Sequence, residues 1–147
     1  MARKSAINAV ADAMLAALNV ASLRAWASGG VYRGRPNAQT PPFVSIGPNS
    51  ETPDDCFGTH YGAVVTVPIH AITSGQDADG DDRCADILNQ IITLLDEPFV
   101  LTVTGWTVQN VRWVGTQISG DENLLLLTGD PTGIDGVATF EIQVKAV

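Results

Sequence analysis

The segment between Gly75 and Pro98 contains the clearest helical pattern in the chain. A cluster of acids at Asp79 to Asp82 precedes it, and Pro98 stops it. The stretches before and after this helix alternate apolar and polar residues, as strands do. This order of elements limits the chain to an α+β architecture. The apolar residues at helical spacing are Cys84, Ile87, Leu88, Ile91, Leu94 and Leu95.

A second amphipathic helix is predicted over residues 5 to 20, with Ser5 available as its N-cap. Alternation is cleanest in the last predicted strand, where every second residue from Ala138 to Ala146 is apolar. The pattern predicts a mainly antiparallel sheet of about five or six strands with two α-helices packed on one face, in a single domain over residues 1 to 147. A short strand is predicted to begin at Val31. The other predicted strands cover Phe43 to Gly47, His60 to Ile72, Phe99 to Val103 and Val108 to Gln117.

Three local features carry more specific predictions. Pro68 removes one ladder donor from its strand, which indicates an edge position or a bulge. Residues 48 to 59 are rich in turn-forming residues, so a surface loop is predicted there. The tryptophans Trp26, Trp106 and Trp113 are too scattered to form a base-stacking platform, so burial in the core or at an interface is predicted for them.

The net charge of -8 is unevenly distributed along the chain. Residues 1 to 36 hold five basic residues against Asp12 alone, which gives +4 there and leaves -12 for the remainder. A predominantly acidic body argues against tight sequence-specific binding of nucleic acid, which needs several basic residues along a phosphate track. Two interpretations of the asymmetry are open: contact between the basic part of one copy and the acidic face of another, or two separately solvated surfaces.

No motif in the sequence predicts a metal, a cofactor or a catalytic site. Asp77, Asp79 and Asp81 resemble part of a calcium loop, but the twelfth position from Asp77 is Leu88, where a bidentate glutamate is needed. The two histidines, His60 and His70, lack the close paired spacing of zinc ligands. Neither a nucleophile elbow nor a phosphate-binding glycine pattern is present.

The cysteines and the hydropathy both indicate a cytosolic protein. The chain contains no apolar run of signal-peptide form and no stretch of about 18 apolar residues, so no membrane association is expected. Cys84 falls on the apolar stripe of the central helix. A reduced core thiol is therefore favoured over a disulfide with Cys56 or a nucleophile.

Five segments in a fixed order carry a resemblance to a known family. They are the first helix followed by Val31 to Arg33, then Pro41 to Gly47, Val64 to Ile72, Asp81 to Leu95 and Phe140 to Val144. In this order and spacing the chain resembles the tail-terminator, or tail-completion, proteins of long-tailed bacteriophages and related gene-transfer particles. The resemblance spans nearly the whole chain and depends on the order of the elements rather than on any single motif.

The resemblance implies a structural virion protein that is not an enzyme, needs no cofactor and assembles in the host cytoplasm. Six copies would form a ring on the head-proximal end of the tail tube, stop polymerisation of the tube protein and offer a joining surface to the head-tail connector or stopper protein. DNA would pass through the lumen without specific binding. Two alternatives are kept: a head-completion or stopper protein bound to the portal or adaptor, and a small-molecule-binding or enzymatic domain.

Contacts in such an assembly are predicted for three groups of residues. Tyr32, Arg33 and Arg35, at a strand and loop junction, are predicted to bridge neighbouring copies. Four consecutive leucines, Leu124 to Leu127, leave two interpretations open. They either extend the preceding strand into a long hairpin with its tip at Asp130 to Gly136, or dock into a neighbouring subunit. The residues predicted to contact the tube or the connector are Asp54, Asp55, Phe57, Leu124, Leu125, Leu126, Leu127 and Asp130.

Overall fold

The computed structural model describes residues 4 to 34, 41 to 54, 61 to 74, 80 to 96, 101 to 120 and 133 to 147. Within them the chain is α+β, with three helices and a six-stranded, mostly antiparallel sheet, which confirms the predicted class. The elements in chain order are α1 (Ile7–Leu18), α2 (Ala21–Arg24), β1 (Val31–Arg33), β2 (Phe43–Ile46), β3 (Ser50–Asp54), β4 (Gly62–Thr73), α3 (Gly80–Leu94), β5 (Trp106–Gly120) and β6 (Ile134–Ala146).

The sheet has the strand order β1-β2-β4-β6-β5, and β3 also pairs with β4. On one side, β4 pairs with β6 along its whole length. On its other side, β4 pairs first with β3 and then with β2. Among the described strands, only β1 and β2 pair in parallel. The central position therefore belongs to β4, and β5 lies at one end of the sheet.

The predicted edge position of Pro68 was wrong, because this proline lies in the central strand β4 and its register with β6 runs without a shift. The predicted bulge is confirmed on the other side of β4, where four steps from Ile46 to Ser50 face the three steps from Ile69 to Thr66 that contain Pro68. Its carbonyl oxygen accepts a hydrogen bond from the N–H of Gly47 at 2.8 Å. The amide nitrogen of a strand residue points to the same side as its carbonyl oxygen, so the missing donor faces β2 and β3. It falls between the end of β2 at Ile46 and the start of β3 at Ser50, where the ladder needs no donor.

The surface loop predicted over residues 48 to 59 was also wrong in part. Ser50–Asp54 form β3, which pairs with β4 from Ser50 opposite Thr66 to Asp54 opposite Gly62. The polar composition of this segment did not decide its structure, because the open side of β4 supplies backbone partners for it. Residues 55 to 59 lie outside the described residues.

Two predicted boundaries near β5 differ from the structure. Leu101 and Val103 are buried, but residues 101 to 103 are irregular rather than a strand, because burial alone produces the same alternation without a ladder partner. Residues 134 to 136, predicted within a hairpin tip, belong to β6. The ladder between β5 and β6 extends as far as Gly120 opposite Ile134. Phe99 lies outside the described residues.

The core forms against one face of β4 and β6. The register places Val67 of β4 beside Phe140 of β6, and alternate residues along both strands are buried as the sequence predicted. The helices α1 and α3 contribute to the same cluster, and the predicted stripe on α3 is confirmed. The thiol of Cys84 is buried and donates to the carbonyl oxygen of Ala71 at 3.4 Å. The principal residues of this core are Val10, Met14, Leu18, Val65, Val67, Ile69, Ala71, Cys84, Ile87, Leu88, Ile91, Ala138, Phe140, Ile142 and Val144.

The three tryptophans differ in their exposure. Trp106 is buried, and the ammonium group of Lys4 lies 5.6 Å from the centre of its ring. Trp26 is 42% exposed and Trp113 is 51% exposed, so the prediction of core burial was wrong for these two residues. For both residues, burial at an interface stays a prediction.

Candidate interaction surfaces

Tyr32, a predicted bridge between copies, is partly buried on β1. Its hydroxyl donates a hydrogen bond to the carbonyl oxygen of Gly29 at 2.6 Å. Its ring meets Phe43 edge to face, with 6.3 Å between the ring centres, and Phe43 and Ile72 form a second small buried cluster against which it packs. Much of Tyr32 therefore contributes to packing within its own chain.

Arg33 joins β1 to α1. Its guanidinium group donates to Asp12 at 3.2 Å and to the side-chain oxygen of Asn8. The side chains of Arg33 and Asp12 are 40% and 72% exposed, so the pair contributes at most about 1 kcal/mol to folding. The bridging role of Tyr32 and Arg33 stays a prediction, and Arg35 lies outside the described residues.

Asp54, a predicted contact for the tube or the connector, is the last residue of β3. Its carboxylate accepts a hydrogen bond from the side-chain amide of Gln143 at 2.9 Å, which links β3 to β6 across β4. Asp54 is separated from Tyr32 and Arg33 in the sheet, because β3 pairs with β4 whereas β1 pairs with β2. The other predicted contacts, Asp55, Phe57, Leu124, Leu125, Leu126, Leu127 and Asp130, lie outside the described residues.

A histidine and a carboxylate pair in the interior of the sheet. Nδ1 of His70 lies 2.9 Å from Oδ1 of Asp135, and their side chains are 13% and 10% exposed. Ser45 is the ladder neighbour of His70, but it is fully buried and its hydroxyl donates to the carbonyl oxygen of Gly34 at 2.7 Å. The three side chains therefore do not present an accessible nucleophile.

The described part of the chain contains neither a cluster of metal ligands nor a membrane-spanning helix. There, no group of three or more histidine, cysteine, aspartate or glutamate residues is arranged to hold a metal ion. Among the same residues, no helix has both the length and the apolar character needed to cross a membrane.

The outer edge of β5 is the most distinctive surface of the structure. In the described residues β5 pairs with β6 on one side, and no strand pairs with its other side. Three of its large apolar residues are exposed: Trp113 by 51%, Val114 by 47% and Ile118 by 39%. The indole N–H of Trp113 donates to the hydroxyl of Thr116 at 3.0 Å, which fixes the ring on the strand. We call Trp113, Val114 and Ile118 with this free edge the β5 edge.

Two irregularities shape the β5 edge. The register with β6 shifts between Val108 and Asn110, and again between Trp113 and Gly115. A bulge of this kind increases the local twist and leaves one residue without a ladder partner. Next to the second shift lies an open groove of about 320 Å³, lined by Val114, Gly115, Thr116, Gln117, Val137 and Thr139.

Trp113 was a predicted core or interface residue, whereas no role was predicted for Val114 and Ile118. A signal for this surface was present, because β5 carries a single charged residue, Arg112, over its 15 positions. Its apolar residues also occupy consecutive positions, such as Trp113 and Val114, so they lie on both faces of the strand. Natural edge strands are commonly protected by charged side chains or proline, and β5, with one charge and no proline, has little of this protection.

Comparisons with known proteins bear on the fold rather than on the sequence. No protein-family model matches the chain, and no curated protein matches its sequence. Among solved structures, the chain is similar to a chain from the virion of a native gene transfer agent particle, with a TM-score of 0.79 and 19% sequence identity. The match covers 98% of this chain and 100% of that chain. The two chains therefore share a fold over their whole length.

Proposed function

We propose that this protein is a structural virion component that forms a ring, of six copies, at the head-proximal end of a tail tube. The ring stops polymerisation of the tube protein and provides the surface to which the head-tail connector or stopper protein binds. The observation that carries the proposal is the full-length fold match to a chain of a gene transfer agent virion. The order of helices and strands, which resembles that of tail-terminator proteins, supports the same assignment.

The free edge of the sheet supports an assembling protein. A strand edge with three exposed apolar residues and one charge favours association, because its backbone donors and acceptors are available to another chain. A contact between two different surfaces of identical copies repeats around an axis and closes into a ring when the rotation permits it. The uneven charge, +4 over residues 1 to 36 against -12 elsewhere, suits contacts between unlike surfaces.

The ring is tested by mass. Native mass spectrometry of the purified protein should show a species of six times the 15.5 kDa chain. Electron microscopy of the same sample should show a closed ring with an axial channel. A different closed stoichiometry would correct the number of copies, whereas open filaments would contradict the ring.

The function is tested by tube growth. The purified protein is added to polymerising tail-tube protein, and tube lengths are measured by electron microscopy. We expect growth to stop, with the added protein at one end of each tube. A matched sample contains the variant Val114→Lys, which places a charge on the β5 edge and should lose the effect together with the ring.

The same experiment separates the main alternative. A head-completion or stopper protein would leave the tube lengths unchanged and would instead bind the portal or adaptor assembly. Unchanged tube lengths with the wild-type protein would therefore contradict tail termination, even if a ring forms.

A further inference from the structure

We propose that the two ends of the sheet bind each other between copies, so that the β5 edge of one copy docks on the outer side of β1 of the next copy. This inference rests on the proposed function, because it specifies the contact that would hold the ring together. The occupant of the β5 edge is therefore a second copy of this chain, bound through Val31–Arg33.

The β5 edge is exposed along one continuous stretch. From residue 112 to residue 119, every position except Gly115 is exposed. Trp113 and Ile118 lie on the side of the sheet that carries the helices, opposite Phe140 and Gly136 of β6. Their side chains are 51% and 39% exposed, so the helices of the same chain cover them only in part.

The outer side of β1 offers backbone groups to another strand. The N–H of Gly34 donates to β2 and the carbonyl oxygen of Gly30 accepts from β2, both at 2.9 Å. Successive residues of a strand direct their backbone groups to opposite sides, so Val31 and Arg33 direct their N–H and C=O groups away from β2. Among the described residues, none of these four groups has a backbone partner. We call this side of Val31–Arg33 the β1 edge.

The register places the two edges at the same level of the sheet. Ladder partners can be followed from β1 through β2, β4 and β6 to β5. One row consists of Val31, Val44, Ala71, Gly136 and Ile118, and another of Arg33, Ile46, Ile69, Ala138 and Thr116. The β1 edge is therefore level with the half of β5 that carries the exposed apolar residues.

The other strand at that end of the sheet, β3, is a protected edge. It contains Pro53 and the charged residues Glu51 and Asp54, which discourage pairing with another chain. The register places β3 level with the part of β5 from Thr107 to Arg112, whose exposed residues are all polar. The polar half of β5 thus matches the protected strand, and the apolar half matches the unprotected one. This correspondence favours a second copy as the partner.

The strand directions fit the same contact. β1 and β2 are parallel and each further pair along the sheet is antiparallel, so β5 runs opposite to β1. A rotation about an axis parallel to the strands preserves their directions and levels. β5 of one copy would therefore meet β1 of the next in an antiparallel ladder, with Thr116 opposite Arg33.

This contact also explains how a ring would arise. The two edges are different surfaces, so each copy uses its β5 edge on one neighbour and its β1 edge on the other. Such heterologous contacts close into rings, whereas pairing of two β5 edges would give an isolated two-fold dimer.

The first experiment uses a disulfide between the double-variant positions Arg33→Cys and Thr116→Cys in the full chain. Within one copy these positions lie four strand spacings apart, about 19 Å, whereas a disulfide needs Cα atoms about 4.4 to 6.8 Å apart. Across the proposed ladder they are directly opposite, at about 4.5 to 5.5 Å. Mild oxidation of the assembled protein should therefore give a reducible covalent series that extends to the whole ring.

Two controls make the cross-link specific. The pair Arg33→Cys, Thr107→Cys has the same number of thiols, but position 107 lies about 30 Å further along β5, so no series is expected. The single variants Arg33→Cys and Thr116→Cys test linkage to the native Cys56 and Cys84, and they should give no series either.

The second experiment blocks each edge and measures association by analytical ultracentrifugation and native mass spectrometry. Arg33→Pro removes an outward N–H from β1, and Arg33→Ala is its control, because it lacks the same side chain but keeps the N–H. Val114→Lys alters the β5 edge, and its control, Trp26→Lys, replaces an exposed tryptophan elsewhere. We expect each blocked variant to raise the dissociation constant at least about 30-fold relative to its control, as loss of a hot spot does.

Mixing the two blocked proteins gives the sharpest result. Each is expected to be monomeric alone, but an equimolar mixture should form one-to-one dimers and nothing larger. The intact β5 edge of Arg33→Pro can bind the intact β1 edge of Val114→Lys, and no second contact remains. Urea unfolding at concentrations where the proteins are monomeric checks that each blocked variant is as stable as its control.

Several outcomes would overturn the inference. Intact rings in which positions 33 and 116 do not cross-link would do so, as would a wild-type chain that stays monomeric at its highest soluble concentration. An Arg33→Pro variant that still forms dimers would show that β5 edges pair with each other. The proposed function fails separately: tubes that grow normally beside intact wild-type rings contradict tail termination but leave this contact intact.

Discussion

Gly136 provides a direct test of how α3 packs on the sheet. It lies in β6 between Ala71 of β4 and Ile118 of β5 in the register. A Cβ atom added there would overlap Sγ of Cys84 and lie 2.7 Å from a terminal methyl of Leu88. Carbon atoms in favourable contact are about 3.5 to 4.0 Å apart, so α3 and β6 would have to separate by about 1 Å. The variant Gly136→Ala is therefore expected to destabilise the fold.

The magnitude follows from two opposing effects. Overpacking of a close-packed core costs about 1 to 3 kcal/mol. Replacing glycine by alanine returns about 0.4 to 1 kcal/mol, because the unfolded chain has less freedom to lose. We expect a net loss of about 1 to 2 kcal/mol, measured by urea unfolding at a fixed protein concentration. The melting temperature should fall by about 2 to 8 °C for a chain of this size.

A control and a rescue make the measurement specific. Gly115→Ala introduces the same methyl group on β5, where no atom lies within 4 Å of the new Cβ, and should leave stability equal or slightly higher. Cys84→Ala removes the closest atom, so it should relieve the clash in the double variant. The double-mutant cycle should show a favourable coupling of about 1 kcal/mol or more. Additive effects, within about 0.5 kcal/mol, would refute the packing of α3 against Gly136.

Three further predictions concern other contacts. The swap Asp12→Arg, Arg33→Glu keeps an ion pair between α1 and β1, so it should retain the midpoint of urea unfolding. Assembly of the swapped protein is measured by light scattering. Weaker assembly would show that Arg33 also acts between copies, and unchanged assembly would reject its bridging role. Glu51→Ala removes the carboxylate that accepts hydrogen bonds from the hydroxyl of Ser5 and the N–H of Ala6 at the start of α1. It should lower the free energy of unfolding in urea by about 0.5 to 2 kcal/mol. As a control, Thr52→Ala on the exposed side of the same strand should lower it little. Phe140→Ala should cost about 3 to 5 kcal/mol, because the ring is 1% exposed at the centre of the sheet; a loss below about 1 kcal/mol would contradict its position in the core.

Long, periodic elements could be predicted from the sequence. The stripe from Cys84 to Leu95 fixed α3, and the alternation from Ala138 to Ala146 fixed most of β6, because burial of one face acts on every residue of such an element. The mainly antiparallel α+β sheet followed from the order of these elements. Such patterns depend on which residues are buried, and the sequence displays that directly.

Short elements and strand partners could not be predicted. Ser50–Asp54 contain proline and polar residues, and their strand exists because β4 offers them a ladder. Pro68 indicated an edge, but the break between β2 and β3 accommodates it in the centre. In both cases the deciding partner is distant in sequence. The same reason hid the β5 edge, since exposure of Val114 and Ile118 depends on the absence of a neighbour among the described strands.

The last strand of the sequence, β6, lies in the sheet between two strands that are synthesised before it, β4 and β5. Among the described residues β5 joins the sheet only through β6, and β6 also completes one whole side of β4. A ribosome adds about 5 to 20 residues per second, so β4 and β5 are synthesised before residues 134 to 146, which form β6, emerge. The nascent chain therefore passes through a stage in which two long strands lack their shared neighbour, and chaperone protection matters most at that stage. Premature release before β6 would abolish two ladders together.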